Sequence, residues 1–220
     1  MAELSRNFAV IGLGTFGATV ARELARFEDY VIGIDISERP VAALADLITH
    51  AVIADARDEA ALREAGVADC DVALIAIGEG LEANVLATIN ARMLGVPTIW
   101  AKATSRTHHR ILSKIGAERV ILPEEEVGLQ VAQMLHNPQM RSYLSVGNGF
   151  YVVTFQVPQV HAGKRPSELG IGTKMDLRNI GVMRGTDFVG AAAEDPHLAA
   201  GDRLMLLGRR SELRKFASIL

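Results

Sequence analysis

The chain is poor in the groups that cross-link proteins and do most covalent chemistry. It has one cysteine, Cys70, which excludes an intrachain disulfide framework and a cysteine-based zinc site. A small buried hydrophobe near a helix end is the reading that remains for it. No stretch reaches the ~18 consecutive apolar residues of a membrane span. The opening MAELSRN lacks the basic and apolar segments of a secretory signal, so a cytoplasmic protein is expected, with any membrane role coming through a partner. No Lys/Arg block stands out of a net charge of −3 and a pI near 6.1. A concentrated phosphate-binding surface is therefore missing, and nucleic acid is not an expected partner. The His-x-x-x-His spacing of zinc enzymes, the G-x-S-x-G elbow and a Cys/His nucleophile pair are absent too. His108 and His109 are neighbours, so on a helix they point about 100° apart and cannot share a metal.

What is there is apolar and repetitive. Of 220 residues, 49% are hydrophobic, enough for a substantial core. From Phe8 to about Leu135, short β-branched runs alternate with helical patterns. The runs are FAVIG, YVIGIDI, HAVIADA, DVALIAIG, TIWAKA and RVILP. They are nearly continuous rather than alternating, as parallel strands covered on both faces require. The helices are expected at Thr15–Phe27, Pro40–Leu47, Asp58–Ala65, Leu81–Leu94, Ser105–Ile115 and Glu125–Leu135. Six such repeats predict an α/β, Rossmann-like, doubly wound parallel sheet. The character changes at HNPQMRSYLSVGNG. Beyond it, YVVTFQV, NIGVMRG, DFVGAAA and DRLMLLG read as strands, with a short helix near Pro166–Leu169 and a closing helix from Ser211. Residues 1–136 are thus expected to form one domain and 137–220 a small α+β second domain.

The chemistry lies in the first block. Gly12, Gly14 and Gly17 form G-x-G-x-x-G, with Thr15 and Phe16 between the last two. The first glycine permits a sharp turn, the second a close phosphate, the third tight helix–strand packing. The helix that follows offers unpaired N–H groups and the positive end of its dipole to that phosphate. Asp35 ends the second strand, where a carboxylate accepts both ribose hydroxyls and repels a 2′-phosphate; Arg39 nearby is a cation that could hold one. Asp55 with Ala56 ends the third strand; Asp55 could orient an adenine edge or begin a turn. Ala76, Ile77 and Gly78 end the fourth and would line the ribose–phosphate crevice through their backbone. Lys102, ending the fifth, could meet a phosphate or sit in an ion pair. Glu124 follows Pro123; it could complement a helix dipole, or face phosphates through a divalent cation such as magnesium.

FAVIGLGTFG, IGIDIS, HAVIADA, VALIAIG, TIWAKA, LSKIGAERVILPEEEVG and the later HAGKRPSELGI…GDRLMLLG occur in this order. Together they resemble the cytoplasmic RCK (regulator of K⁺ conductance) subunits of bacterial Ktr and Trk potassium uptake systems, in the single-copy KtrA arrangement. The resemblance implies a subunit without enzymatic activity that binds ATP, ADP or NAD(H). It implies homodimers assembling into an octameric ring beneath a membrane-embedded, KtrB-like potassium transporter, and so a peripheral place on the inner membrane face. The glycine loop, Asp35, Asp55, Ala76–Gly78, Lys102 and Glu124 fall on family binding positions, Glu124 matching a glutamate associated with a cation between paired nucleotides. The helix from Glu125, with Val127, Val131, Met134 and Leu135 on one stripe, resembles a crossover helix exchanged between dimer partners; packing in cis is the alternative. Many KtrA-type members carry arginine where this chain has Thr15. The competing class is an NAD-dependent oxidoreductase or redox-sensing Rossmann protein. For a proton-transfer residue, however, the second block offers only His161 and His197, in turn-like contexts.

Overall fold

A computed structural model describes residues 6–191 and 194–220, and the chain divides into two compact units after Glu124. In the first, the six apolar runs form β1 (Asn7–Ile11), β2 (Tyr30–Asp35), β3 (His50–Ile53), β4 (Val72–Ile75), β5 (Thr98–Lys102) and β6 (Arg119–Ile121). All pair in parallel, in the order β3-β2-β1-β4-β5-β6. The continuous hydrophobicity follows from this arrangement. Ala9 and Ile11 enter one core, with Ile32, Ile34 and Ile75. Val10 enters another on the opposite face, with Val31 and Leu74. Every position of a doubly covered strand is interior, so none needs a polar side chain.

The helices are α1 (Thr15–Arg26), α2 (Glu38–Ala42), α3 (Glu59–Glu64), α4 (Leu81–Met93), α5 (Arg106–Ile115) and α6 (Pro123–His136). Where Pro40–Leu47 was expected to be helical, α2 begins and ends earlier. Its path continues in tighter turns, with Leu44 N donating to Val41 O and Leu47 N to Leu44 O. Leu44 and Ile48 are still buried, so the apolar pattern is satisfied without a regular helix.

The second unit is an antiparallel sheet, ordered β10-β9-β11-β8-β7. Its strands are β7 (Met140–Gly147), β8 (Phe150–Gln156), β9 (Leu177–Arg184), β10 (Asp187–Ala191) and β11 (Arg203–Arg209), followed by α7 (Arg210–Ala217). Ala192 and Ala193, the expected end of the DFVGAAA strand, lie outside the described residues. On β8, Val153 and Phe155 are fully buried, as is Val157 beyond its end, while Thr154 and Gln156 are half-buried. Phe155 packs edge-on against Phe216 of α7, with centroids 5.3 Å apart. Strand β7 escaped the sequence reading for a physical reason. Its register against β8 shifts between Met140 and Ser142, so its buried residues, Met140 and Tyr143, are three apart and break the period of two. Asp202, fully buried, holds Arg184 through two oxygens at 2.8–2.9 Å and also accepts from Ala199 N.

Candidate nucleotide site

The strand order reverses between β1 and β4, and open parallel sheets bind ligands at the carboxyl ends of the strands flanking such a point. The glycine turn lies there. Gly12 takes φ +95°, and a Cβ on it would come within 2.9 Å of Ala76 C and Ile77 N. A Cβ on Gly17 would lie 1.9 Å from Gly12 O, so α1 can start this close to β1 only with glycine there. Gly14 differs: a Cβ on it would meet nothing within 4 Å. The protein itself does not require glycine at that position, which leaves open space where a phosphate can approach the backbone. Gly14 is the N-cap of α1, without a side-chain cap, and the first turn carries no acid. The N–H groups of Thr15, Phe16 and Gly17 therefore face no competing anion from their own helix.

Asp35 is tied to this turn. One of its oxygens accepts Leu13 N at 2.7 Å, the other Ser37 N at 2.8 Å. Two of a carboxylate's roughly four acceptor positions are used, leaving one on each oxygen, the number a ribose diol needs. Ser37 is the N-cap of α2, but its side chain makes no cap bond. Asp55 is engaged differently. It accepts the backbone N–H of Arg57 at 2.9 Å and its guanidinium at 2.7–3.1 Å. The Arg57 side-chain bonds, then its N–H, hold the Asp55 carboxyl below the usual carboxylate range.

Lys102 is buried and sits 2.6 Å from Glu124. Its ammonium lies 5.7 Å from the centre of the Phe16 ring and beneath Gly78, whose Cβ would be 3.7 Å from it. The Lys102 hydrogen bond draws the Glu124 carboxyl below its ordinary value. Among the described residues no group of three or more His, Cys, Asp or Glu side chains is placed to hold a metal ion.

A cleft of about 660 Å³ gathers Gly12, Gly14, Asp35, Asp55, Ala56, Ala76, Ile77 and Gly78. Thr15, Phe16, Gly17, Lys102 and Glu124 do not line it, although Thr15 is exposed at the start of α1. Arg57, Ser37 and Glu79 line it and were not singled out from sequence. Nor were the amides of α4 that fix its walls. Buried Asn84 donates to Ile77 O at 2.7 Å and Lys102 O at 3.0 Å, and Asn90 donates to Ala56 O at 3.0 Å. The available signal was two asparagines on a helix whose other buried residues are the small Ala87, Thr88 and Ala91.

A second cleft of about 720 Å³, lined by Tyr30, His50 and Cys70, holds none of the site residues. Burial pushes the Cys70 thiol up to about 11, so it is not a nucleophile at neutral pH. His161 Nε2 bonds Ile219 O and His197 Nδ1 bonds Gly163 O. Among the described residues no helix is long and apolar enough to cross a membrane.

The model of the TrkA-N domain family matches residues 8–123. The chain is 32% identical over 212 residues to the Ktr system potassium uptake protein A of Bacillus subtilis, covering 96% of each. Among solved structures it is similar to the GsuK RCK domain (TM-score 0.69, 17% identity, 99% of this chain and 48% of that one). It is also similar to the GsuK channel bound to NAD (TM-score 0.67, 18% identity, 97% and 39%). The chain spans less than half the length of those two proteins, and at such identities the likeness is one of fold.

Proposed function

This chain belongs to the TrkA-N domain family, and from that premise we propose that it is a nucleotide-gated regulatory subunit of a membrane potassium uptake system. The observation that carries the reading is the uncapped start of α1, open at Gly14 and next to a half-engaged Asp35. A ligand with a vicinal diol joined to a phosphate or diphosphate fits this pair, the diol on Asp35 and the phosphates on the helix N–H groups. An adenine nucleotide, ATP or ADP, or NAD(H), meets that description; a 2′-phosphate would meet the Asp35 charge. The RCK-fold neighbour bound to NAD supports the same ligand class.

No reaction is assigned to the chain. His161 and His197 bond backbone carbonyls, and the role of the nucleotide is to bias shape. A nucleotide shifts an equilibrium only through its differential affinity for two conformations, so a gating ligand must touch a part that moves. Glu124 and Lys102 are suited to this, since Glu124 immediately precedes the second unit. A divalent cation beside bound phosphates would take Glu124 as an oxygen ligand in place of the Lys102 ammonium.

In this reading residues 1–136 work as one functional block, with α6 exchanged between the partners of a homodimer. Dimers build an octameric ring on the cytoplasmic face of a membrane-embedded, KtrB-like transporter. Thr15 leaves the terminal phosphate without a cation from the glycine turn. Charge-assisted bonds are about twice as strong as neutral ones, so Thr15→Arg should raise ATP affinity relative to ADP. Purification from membranes tests the assembly: a multi-spanning potassium transporter should co-purify, retained or released according to whether ATP or ADP is added. Recovery of the chain alone under both conditions would contradict it.

A further inference from the structure

Asp35 ends β2, Asp55 lies two residues beyond the end of the adjacent β3, and both line the same cleft, yet they stand in opposite states. Asp35 keeps one acceptor position free on each oxygen. On Asp55, Oδ1 accepts Arg57 N and Nε, and Oδ2 accepts Arg57 Nε and the terminal nitrogen Nη2. Three N–H groups of a single residue make these four contacts, the lone Nε–H being shared between the two oxygens, so both oxygens are already engaged by Arg57. What this corner offers a base is the remaining N–H groups of the guanidinium, which are donors. An exocyclic amine, also a donor, meets an Asp55 carboxylate already engaged on both oxygens until the Arg57 side chain leaves. The Glu82 carboxylate in the first turn of α4 also acts on the Arg57 charge, through space.

We infer that Arg57 is a specificity-determining residue of the base end of the cleft, closing Asp55 to the 6-amino group so that recognition of adenine requires its displacement. The inference rests on the nucleotide reading above and deepens it. The pair is exposed, with 49% of the Arg57 and 36% of the Asp55 side chain accessible. Exposed pairs are worth about 0.2–1 kcal/mol, which converts to a penalty of up to about fivefold in affinity. The same occupancy costs a 6-oxo purine nothing, since its carbonyl seeks a donor. Arg57 therefore narrows the preference for adenine over hypoxanthine. Removing its side chain leaves the turn in place, because the bond from the backbone N–H of residue 57 to Asp55 does not depend on it, and Asp58 still caps α3 through Ala60 N.

The test is calorimetric titration of the full chain with ADP and with inosine diphosphate. Arg57→Ala should tighten ADP about two- to fivefold and leave inosine diphosphate unchanged or weaker, so that the ratio of the two affinities rises. Adding Asp55→Asn keeps an oxygen for the turn but offers the base an NH₂ group, and should return the ratio towards wild type. In Arg57→Ala the Asp55 carboxyl, followed by NMR, should titrate closer to the ordinary value of about 3.9. Weaker ADP binding in Arg57→Ala would mean that the guanidinium contacts the nucleotide directly, and would overturn the inference, as would an equal gain for both ligands. Binding of neither diphosphate by the wild-type chain would instead overturn the nucleotide reading itself.

Discussion

Gly14 and Gly17 sit three residues apart and carry different duties. Gly17→Ala forces a methyl to 1.9 Å from Gly12 O and should cost about 3 kcal/mol or more of stability, as overpacking against backbone does. Gly14→Ala meets no protein atom; its melting temperature should stay close to wild type while nucleotide affinity falls. Thermal denaturation and calorimetry on both variants separate the two roles. Asp202 gives a pH prediction of the same kind. Burial pushes its carboxyl up, but the Arg184 guanidinium and Ala199 N–H outweigh this and leave it below the usual range. A depressed folded-state value stabilises fully above the unfolded value, near 3.9, and the gain is lost as pH falls through the folded value. Asp202→Asn should thus cost about 1–2 kcal/mol at neutral pH, with the difference closing at acid pH in urea titrations. The turn at Gly12 and Gly17 and the place of Asp35 at the end of β2 were legible in sequence because local backbone geometry sets them. Arg57, Asn84 and Asn90 were not. Asn84 and Asn90 are defined by carbonyls at Ile77, Lys102 and Ala56, on segments that only the fold brings near, and Arg57 by how completely it fills Asp55.

Among the α-helices, α6 stands out because it buries no residue. Val127, Leu129, Val131 and Leu135 are all exposed, Leu135 by 79%. An amphipathic helix that packed its whole stripe in cis would show buried positions every three or four residues; here only Met134 of the stripe packs, half-buried, against a core of the same chain. Exchange between partners predicts that Leu135→Glu leaves the stability of the individual chain within about 0.5 kcal/mol of wild type but lowers the mass seen by light scattering. Unchanged mass would speak against exchange. The stripe itself was readable from the spacing of Val127, Val131 and Leu135. Strand β7 was not, since a register shift moved its inward residues off the alternation that marks a strand. The central parallel strands β1, β2 and β4 were legible because burial on both faces makes their hydrophobicity continuous, and the edge strands β3 and β6 because their runs are β-branched even where they are only half-buried.

At the scale of the whole molecule, a parallel sheet and a small antiparallel unit meet in sequence at Glu124, the residue that pairs with buried Lys102. The order of the apolar runs, the one chemically equipped strand edge and the small second block were all visible beforehand. How completely each acidic side chain was already engaged was not, because hydrogen-bond saturation leaves no trace in residue order. A regulatory subunit of this design has to bind its ligand before it can transmit anything, so the central claim is the most directly measurable one. Titrating ADP or ATP into the wild-type chain and into Asp35→Ala should give saturable binding that weakens about tenfold or more in the variant, a loss of at least ~1.4 kcal/mol. Equal affinity in the two proteins, or no binding by the wild type, would contradict the account.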